Sequence, residues 1–216
     1  GLVNNGAFNL SAGATGRLAS GGSGTGTFNA PATAVVEWTA GTFTLDSGSQ
    51  LNGAGLYRIA GGTLAFNTDV TLANLELNTT LGGLGTVTVN TWMDWTGGTM
   101  NGDGWTIIPP GATLNVANAG AVILATRTLE NGGTVLWTGA NISLTSAAVI
   151  TNRAGALFVT QGAGALIYGG GASSRFDNSG TFRKSVNTGT TTVSSGAFNN
   201  YGTVEIQTGI LAANGG

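Results

Sequence analysis

Residues 178–182 read "NSGTF", and residues 200–204 repeat the pattern as "NYGTV", 22 positions further on. The same order of Asn, any residue, Gly, Thr or Ala, and an apolar residue begins at Asn131 ("NGGTV") and at Asn4 ("NNGAF"). Asn tolerates the left-handed backbone conformation, and Gly adopts positive φ without steric cost. The phrase therefore predicts a chain corner that is rebuilt several times along the sequence.

A second phrase, apolar–any–Trp–Thr–small–small, recurs at 36–43 ("VEWTAGTF"), 93–100 ("MDWTGGTM") and 135–142 ("VLWTGANI"). Its tryptophans, Trp38, Trp95 and Trp137, are 57 and 42 positions apart, as expected for three units of 19 and two units of 21 residues. Apolar residues alternate with polar ones around each Trp, and this period of two is typical of strands. The alternation predicts that all three indole rings face the core.

Short alternating runs that end at Gly or Asn, repeated every 19–24 residues without a helical stripe, predict an all-β solenoid. Each strand would pair in parallel with its counterpart one turn away, at a spacing of about 4.8 Å. The sequence predicts about ten such turns in one continuous domain over residues 1–216. In that arrangement the corner asparagines Asn4, Asn131, Asn178 and Asn200 would stack along the rod and exchange amide hydrogen bonds.

The composition excludes several classes of function. Charged residues make up 7% of the chain, the net charge is −2, and there is no His or Cys. No basic stripe is present for nucleic acid, and no apolar run is long enough for a membrane span. Disulfides, thiolate metal sites and His-dependent catalysis are equally excluded. The sequence therefore predicts a protein that is not an enzyme and has no catalytic, metal-binding or cofactor-binding residues.

The nine carboxylates show no convincing active-site pattern. Glu37 and Asp94 occupy equivalent places in the Trp phrase, but three turns of about 4.8 Å would separate them. The others are expected to share no register and to be solvated surface charges: Asp46, Asp69, Glu76, Asp103, Glu130, Asp177 and Glu205. Arg183 and Lys184, the only adjacent basic pair, are likewise expected at a solvated edge.

Two tryptophans lie outside the repeated phrase, and these are the candidates for a surface aromatic platform that stacks on sugars: Trp92 and Trp105. Segment 161–175 carries an insertion, which is either a functional loop or slack in the repeat. Ser195 is expected in an exposed serine-containing loop.

Segments 109–120 ("PPGATLNVANAG"), 129–139 ("LENGGTVLWTG") and 180–216 resemble repeats of very large secreted bacterial surface proteins. They are similar to the β-helical stalks of filamentous haemagglutinins and autotransporter passengers. The resemblance implies a right-handed parallel β-helix at the bacterial cell surface or outside the cell. It also implies a scaffold that projects or carries adhesive regions.

Three functions remain open: a structural stalk or filament segment with an adhesive role, a carbohydrate-binding or carbohydrate-cleaving β-helix, and a module that polymerises through its sheet ends. The expected partners are neighbouring β-helical turns of the same chain or of other subunits, together with glycans or a host cell surface. The chain opens on Gly1 and neither end has a polar cap. A fragment of a longer repetitive chain, with another turn against each end, is therefore expected.

Overall fold

The computed structural model describes residues 1–170, 174–194 and 196–214. They form an all-β parallel solenoid of about ten turns, as the repeat predicts, and none of the described residues is helical. Ten turns at about 4.8 Å each give a rod about 50 Å long. No helix within these described ranges could cross a membrane.

The first three turns contain three short strands each. They are β1 (Leu2–Asn4), β2 (Ala7–Asn9), β3 (Thr15–Leu18), β4 (Gly22–Gly24), β5 (Thr27–Asn29), β6 (Val35–Trp38), β7 (Thr42–Leu45), β8 (Gln50–Asn52) and β9 (Leu56–Ile59). The next two turns contain one short and one long strand each: β10 (Thr63–Phe66), β11 (Val70–Leu77), β12 (Thr80–Gly82) and β13 (Val87–Trp95).

The remaining turns return to three strands each. They are β14 (Thr99–Met100), β15 (Trp105–Ile108), β16 (Thr113–Val116), β17 (Val122–Ala125), β18 (Thr128–Asn131), β19 (Thr134–Trp137), β20 (Ile142–Thr145), β21 (Val149–Asn152), β22 (Leu157–Thr160), β23 (Ala165–Tyr168), β24 (Arg175–Asn178), β25 (Thr181–Lys184), β26 (Thr190–Ser194), β27 (Ala197–Asn200) and β28 (Thr203–Ile206), followed by β29 (Ile210–Ala213), which begins a further turn.

The strands stack into three faces. The first face is an 11-stranded sheet that takes one strand from every turn, from β1 to β29. The second face begins as the 3-stranded sheet β2-β5-β8 and continues through the first halves of β11 and β13 to β15, β18, β21, β24 and β27. The third face holds β3, β6 and β9, the second halves of β11 and β13, and then β16, β19, β22, β25 and β28.

The turn length varies more than the predicted 19–24 residues. Thr63 pairs with Thr80, only 17 positions on, because β11 runs straight from the second face to the third without a corner loop. Leu166 pairs with Val193, 27 positions on, across a longer connection between β23 and β24. Parallel pairing keeps the strands in register from turn to turn, so the differences in turn length lie in the corners.

One inward-facing column explains the Trp phrase. Trp38, Trp95 and Trp137 occupy the same register position on the third face, three turns and then two turns apart. All three are buried among apolar neighbours. The Thr that follows Trp95, Thr96, donates its hydroxyl to the Leu77 carbonyl of the preceding turn at 3.2 Å, which ties the end of the strand to its neighbour.

Candidate functional site

The Asn phrase forms a ladder between the second and third faces. Asn131 Nδ2 donates to Asn152 Oδ1 at 2.8 Å, Asn152 donates to Asn178 at 2.7 Å, and Asn178 donates to Asn200 at 2.7 Å. Each donor amide also reaches a backbone carbonyl of the next turn, for example from Asn178 to Thr203 at 3.0 Å. Asn131, Asn152 and Asn178 are fully buried, whereas Asn200 is exposed at the last described level of this ladder.

Two members of this set differ from expectation. Asn152 belongs to the ladder, although four residues rather than two separate it from the next strand and the phrase is therefore broken. Asn4 lies at another edge of the rod, between the first and second faces, and its Nδ2 donates to the Thr27 carbonyl at 3.0 Å. The same local corner is thus used at two edges.

The prediction that the glycines of the Asn phrase adopt positive φ is wrong. Gly133, Gly180 and Gly202 all lie outside the positive-φ region. Instead, a Cβ on Gly180 would lie 2.4 Å from the Ala156 carbonyl oxygen of the preceding turn. Glycine is needed here because the backbones of successive turns approach closely, and no side chain fits between them.

The two tryptophans outside the phrase lie on different faces. Trp105 is 43% exposed on the second face, where it pairs with Thr128. Trp92 is half-buried on the third face, where it pairs with Asn74 and Thr113. They therefore do not form one shared aromatic platform.

A column of charged and polar side chains runs along the third face beside Trp92. Successive turns contribute, in register, Arg17, Glu37, Arg58, Glu76, Asp94 and Asn115. The expectation that Glu76 and Glu205 share no register with Glu37 and Asp94 is wrong. The shorter turns of β11 and β13 bring Glu76 into the same column, and Glu205 lies further along it. Alternation of sign in the first four members lets charges stack where identical charges would repel each other.

The column is closely paired. Arg17 Nε lies 2.7 Å from Glu37 Oε2, Arg58 Nη1 lies 3.4 Å from Glu37 Oε1, and Arg58 Nε lies 2.8 Å from Glu76 Oε2. The hydrogen bond from Arg17, with a smaller contribution from Arg58, lowers the pKa of Glu37 although burial opposes the shift. Asp94 accepts a hydrogen bond of 2.7 Å from Asn115. The carboxylates of Glu76 and Asp94 thus face solvent side by side as hydrogen-bond acceptors.

An open groove of about 290 Å³ lies on the same face, and its lining residues on the strands precede the members of this column by two positions. Val35, Leu56, Asn74 and Trp92 line it from four successive turns. The corner residues Thr33, Ala34, Ala54 and Gly55 complete the lining. Asn74 Nδ2 donates to the Ala54 carbonyl at 3.0 Å, and the buried Asn74 Oδ1 has no hydrogen-bond partner among the described residues. The groove therefore joins an indole ring and an apolar floor to a neighbouring row of polar groups.

Arg127, between β17 and β18, is fully buried, and no carboxylate in the described part of the chain pairs with it. Its guanidinium donates to Thr106 Oγ1 at 2.8 Å and to the Trp105 carbonyl at 2.7 Å. It also reaches the carbonyls of Gly83 and Gly85 on an earlier turn, at 3.1 and 2.9 Å. Desolvation lowers its pKa to about 10, so it remains a cation at neutral pH.

Lys184 is also buried, which corrects the expectation of a solvated Arg183-Lys184 edge. It continues the inward column of Trp137 and Thr160, and its Nζ donates to the carbonyls of Gly162 and Asn187 at 3.2 and 3.3 Å. Desolvation lowers its pKa. Only Arg183 points outwards, where its Nε lies 2.6 Å from Glu205 Oε2.

The segment 161–175, expected to carry an insertion, is described except for residues 171–173, and Ser195 also lies outside the described residues. Within the described ranges, no group of three or more His, Cys, Asp or Glu side chains is arranged to hold a metal ion. The chain matches no protein-family model, no curated protein and no solved structure.

Proposed function

We propose that this chain is a structural stalk or filament segment of an extracellular or cell-surface bacterial protein, with an adhesive role. The observation that carries the proposal is the continuous parallel ladder of the first face, which runs from β1 to β29 across every turn. A solenoid lengthens by adding turns, because each turn contacts only its neighbours and the core is unchanged. Reach without a change of cross-section is what a stalk requires.

The bacterial surface location rests on the resemblance of segments 109–120, 129–139 and 180–216 to stalk repeats. Antibodies against this chain should label intact, non-permeabilised source cells. Labelling that appears only after permeabilisation contradicts the location.

We further propose that another β-helical turn, from the same polypeptide or from a neighbouring subunit, covers each end of the solenoid. At one end the edge of β1 exposes Val3, and at the other β28 and β29 expose Ile206 and Ile210. Unpaired strand edges with apolar side chains are strong sites for pairing with further strands.

Electron microscopy tests the stalk. Single chains should appear as rods about 50 Å long, and longer rods of the same width should form as the concentration rises. Globular particles contradict the stalk. Rods that never lengthen leave the stalk in place but contradict the pairing of chain ends.

Catalysis is not part of the proposed function. Although Glu76 and Asp94 are adjacent in register, both are partly solvated, and neither lies in the desolvated pocket that a carboxylic general acid requires. We expect no cleavage of pectin, alginate or neutral glycans. Turnover that disappears in Glu76→Gln and Asp94→Asn would contradict this expectation.

A further inference from the structure

We propose that the groove beside Trp92 binds a neutral, hydroxyl-rich oligosaccharide that lies along the rod axis. This inference goes beyond the stalk function and does not depend on it, because binding can be measured on single chains. It is carried by the joint presence of an aromatic face, an apolar floor and a row of hydrogen-bond acceptors.

The aromatic contact comes from Trp92. Among the described residues that line the groove it is the one tryptophan, and it stands beside Asn74, one strand spacing or about 4.8 Å away. The apolar carbon–hydrogen face of a sugar ring packs well on an indole, and the polar rim of the ring remains free for hydrogen bonds. Leu56 and Val35 extend the apolar floor over two further turns.

The polar contacts come from the column of charges. Asp94 lies two residues after Trp92 on the same strand and the same face, about 6.6 Å along it. Glu76 lies beside Asp94 on the adjacent strand and follows Asn74 by the same two residues. Sugar hydroxyls on one edge of a ring stacked on Trp92 would therefore meet carboxylate oxygens.

The charges beside the groove favour a neutral sugar over a cationic ligand. Glu37 is paired with Arg17 and Arg58, and Glu76 is paired with Arg58. Asp94 is the one member of this group of carboxylates that has an amide, Asn115, as its partner instead of a guanidinium. The face therefore offers acceptors without a strong negative field, which suits hydroxyl groups better than a lysine-rich peptide.

The groove also has the direction of a chain ligand. Its lining residues Val35, Leu56, Asn74 and Trp92 come from successive turns, so it extends over three turn spacings, or about 14 Å, parallel to the rod. A single small molecule would leave most of this length empty. An oligosaccharide would follow the repeat.

Calorimetric titration of the chain tests the inference, with hexasaccharides of glucose, mannose and N-acetylglucosamine as probes, and with hexalysine and hexagalacturonate as charged comparisons. We expect at least one neutral hexasaccharide to bind at millimolar or lower concentration. Trp92→Ala should weaken that binding about tenfold or more, since the stacking surface is lost, whereas Trp92→Phe should retain part of it.

Trp105→Ala is the matched control, since Trp105 is exposed on another face, and it should leave the affinity unchanged. Thermal unfolding verifies that each variant is folded, and Asp94→Asn replaces Trp92→Ala if the latter does not fold. The inference is overturned if no neutral hexasaccharide binds, if only hexalysine or hexagalacturonate binds, or if binding is equally strong in Trp92→Ala.

Discussion

Asn152 donates a hydrogen bond of 2.7 Å to Asn178 on the next turn, although 26 positions separate them and only Asn178 belongs to the repeated phrase. Both side chains are fully buried. Each therefore satisfies a polar group that has no access to water, and the two stabilise adjacent turns together.

We expect Asn178→Ala to lower the free energy of unfolding by about 1–3 kcal/mol, because it leaves buried polar groups of two turns without partners. Asn200→Ala should have a smaller effect, since Asn200 is exposed. The exposed Asn90 is the control, and Asn90→Ala should change stability by less than about 0.5 kcal/mol. Urea denaturation measures all three, and equal effects at Asn178 and Asn90 would show that the ladder does not stabilise the fold.

Glu37 should make stability depend on pH at the acidic end. Its pKa is lower in the folded chain, so its contribution is fully present above the ordinary pKa of Glu and is lost as the pH falls through the folded value. We expect Glu37→Gln to lower the free energy of unfolding by about 1 kcal/mol at pH 7. The loss is no larger because its partner Arg17 is largely solvated, and solvent weakens the ion pair. The difference from the unmodified chain should disappear in strongly acidic solution.

Thermal unfolding from pH 2 to pH 7 measures this effect. The exposed Asp103 serves as a control, and Asp103→Asn should not alter the pH profile. Parallel profiles of Glu37→Gln and the unmodified chain would contradict the role of the column.

Every replacement of Arg127, including Lys, should lower the stability of the fold. One planar guanidinium reaches backbone carbonyls at Gly83, Gly85 and Trp105, which lie on two earlier turns, and a single ammonium group cannot span them. We expect Arg127→Lys to lower the free energy of unfolding by about 2–4 kcal/mol, since buried carbonyls lose their donors. Arg175→Lys, at the half-exposed ion pair with Asp177, should cost less than about 0.5 kcal/mol.

Lys184 should oppose folding at neutral pH. Its pKa is lowered by burial, so the unfolded chain binds its proton more tightly, and stability rises with pH between the folded value and the ordinary value of about 10.4. We expect Lys184→Met to leave stability unchanged or raise it at pH 7, and to remove that rise at alkaline pH. Urea denaturation at pH 7 and pH 10 measures both effects, and a loss of stability at pH 7 would show that the bonds from Nζ outweigh desolvation.

Where two chains stack end to end, the second chain should be rotated about the rod axis so that its first strand, β1, lies on the second face of the first chain. In a head-to-tail stack, the position that follows β29 lies above β27 on the second face. We expect β1 of the next chain to take it, because Asn4 ends β1 and Asn200 ends β27 with the same sequence phrase. Asn9 would then lie above Glu205. The chain has no Cys, so Asn9→Cys combined with Glu205→Cys should form oligomers on oxidation. In a stack without this rotation, Arg17 would lie above Glu205 instead. Oligomers formed only by Arg17→Cys combined with Glu205→Cys would therefore contradict the rotation.

The sequence predicts the parts of this fold that depend on local pattern. Alternation around Trp38, Trp95 and Trp137 predicts their burial, and their spacing counts the turns correctly. Register between turns is harder to predict, since it depends on corner lengths that vary from turn to turn. For this reason Glu76 was not expected beside Asp94, and Asn152 was not expected in the ladder.

The sequence pattern did not lead us to expect that Lys184 and Arg127 are buried. Lys184 follows the alternation that placed Trp137 inside, but a basic residue beside another basic residue is normally solvated. Arg127 can be buried because backbone carbonyls from earlier turns surround its guanidinium. These carbonyls lie far from it in the sequence, so the residues next to Arg127 do not indicate them.

Parallel pairing between turns also determines how the rod would respond to mechanical load. Tension along the axis acts directly on the hydrogen bonds between successive turns, and the turn at an end has a partner on one side only. Such a turn would peel away as a unit. Releasing a turn of about 20 residues frees about 70 Å of extended chain, whereas the rod shortens by only about 4.8 Å. A stalk built in this way could lengthen many-fold under tension by unwinding from one end, while the remaining turns keep their core intact.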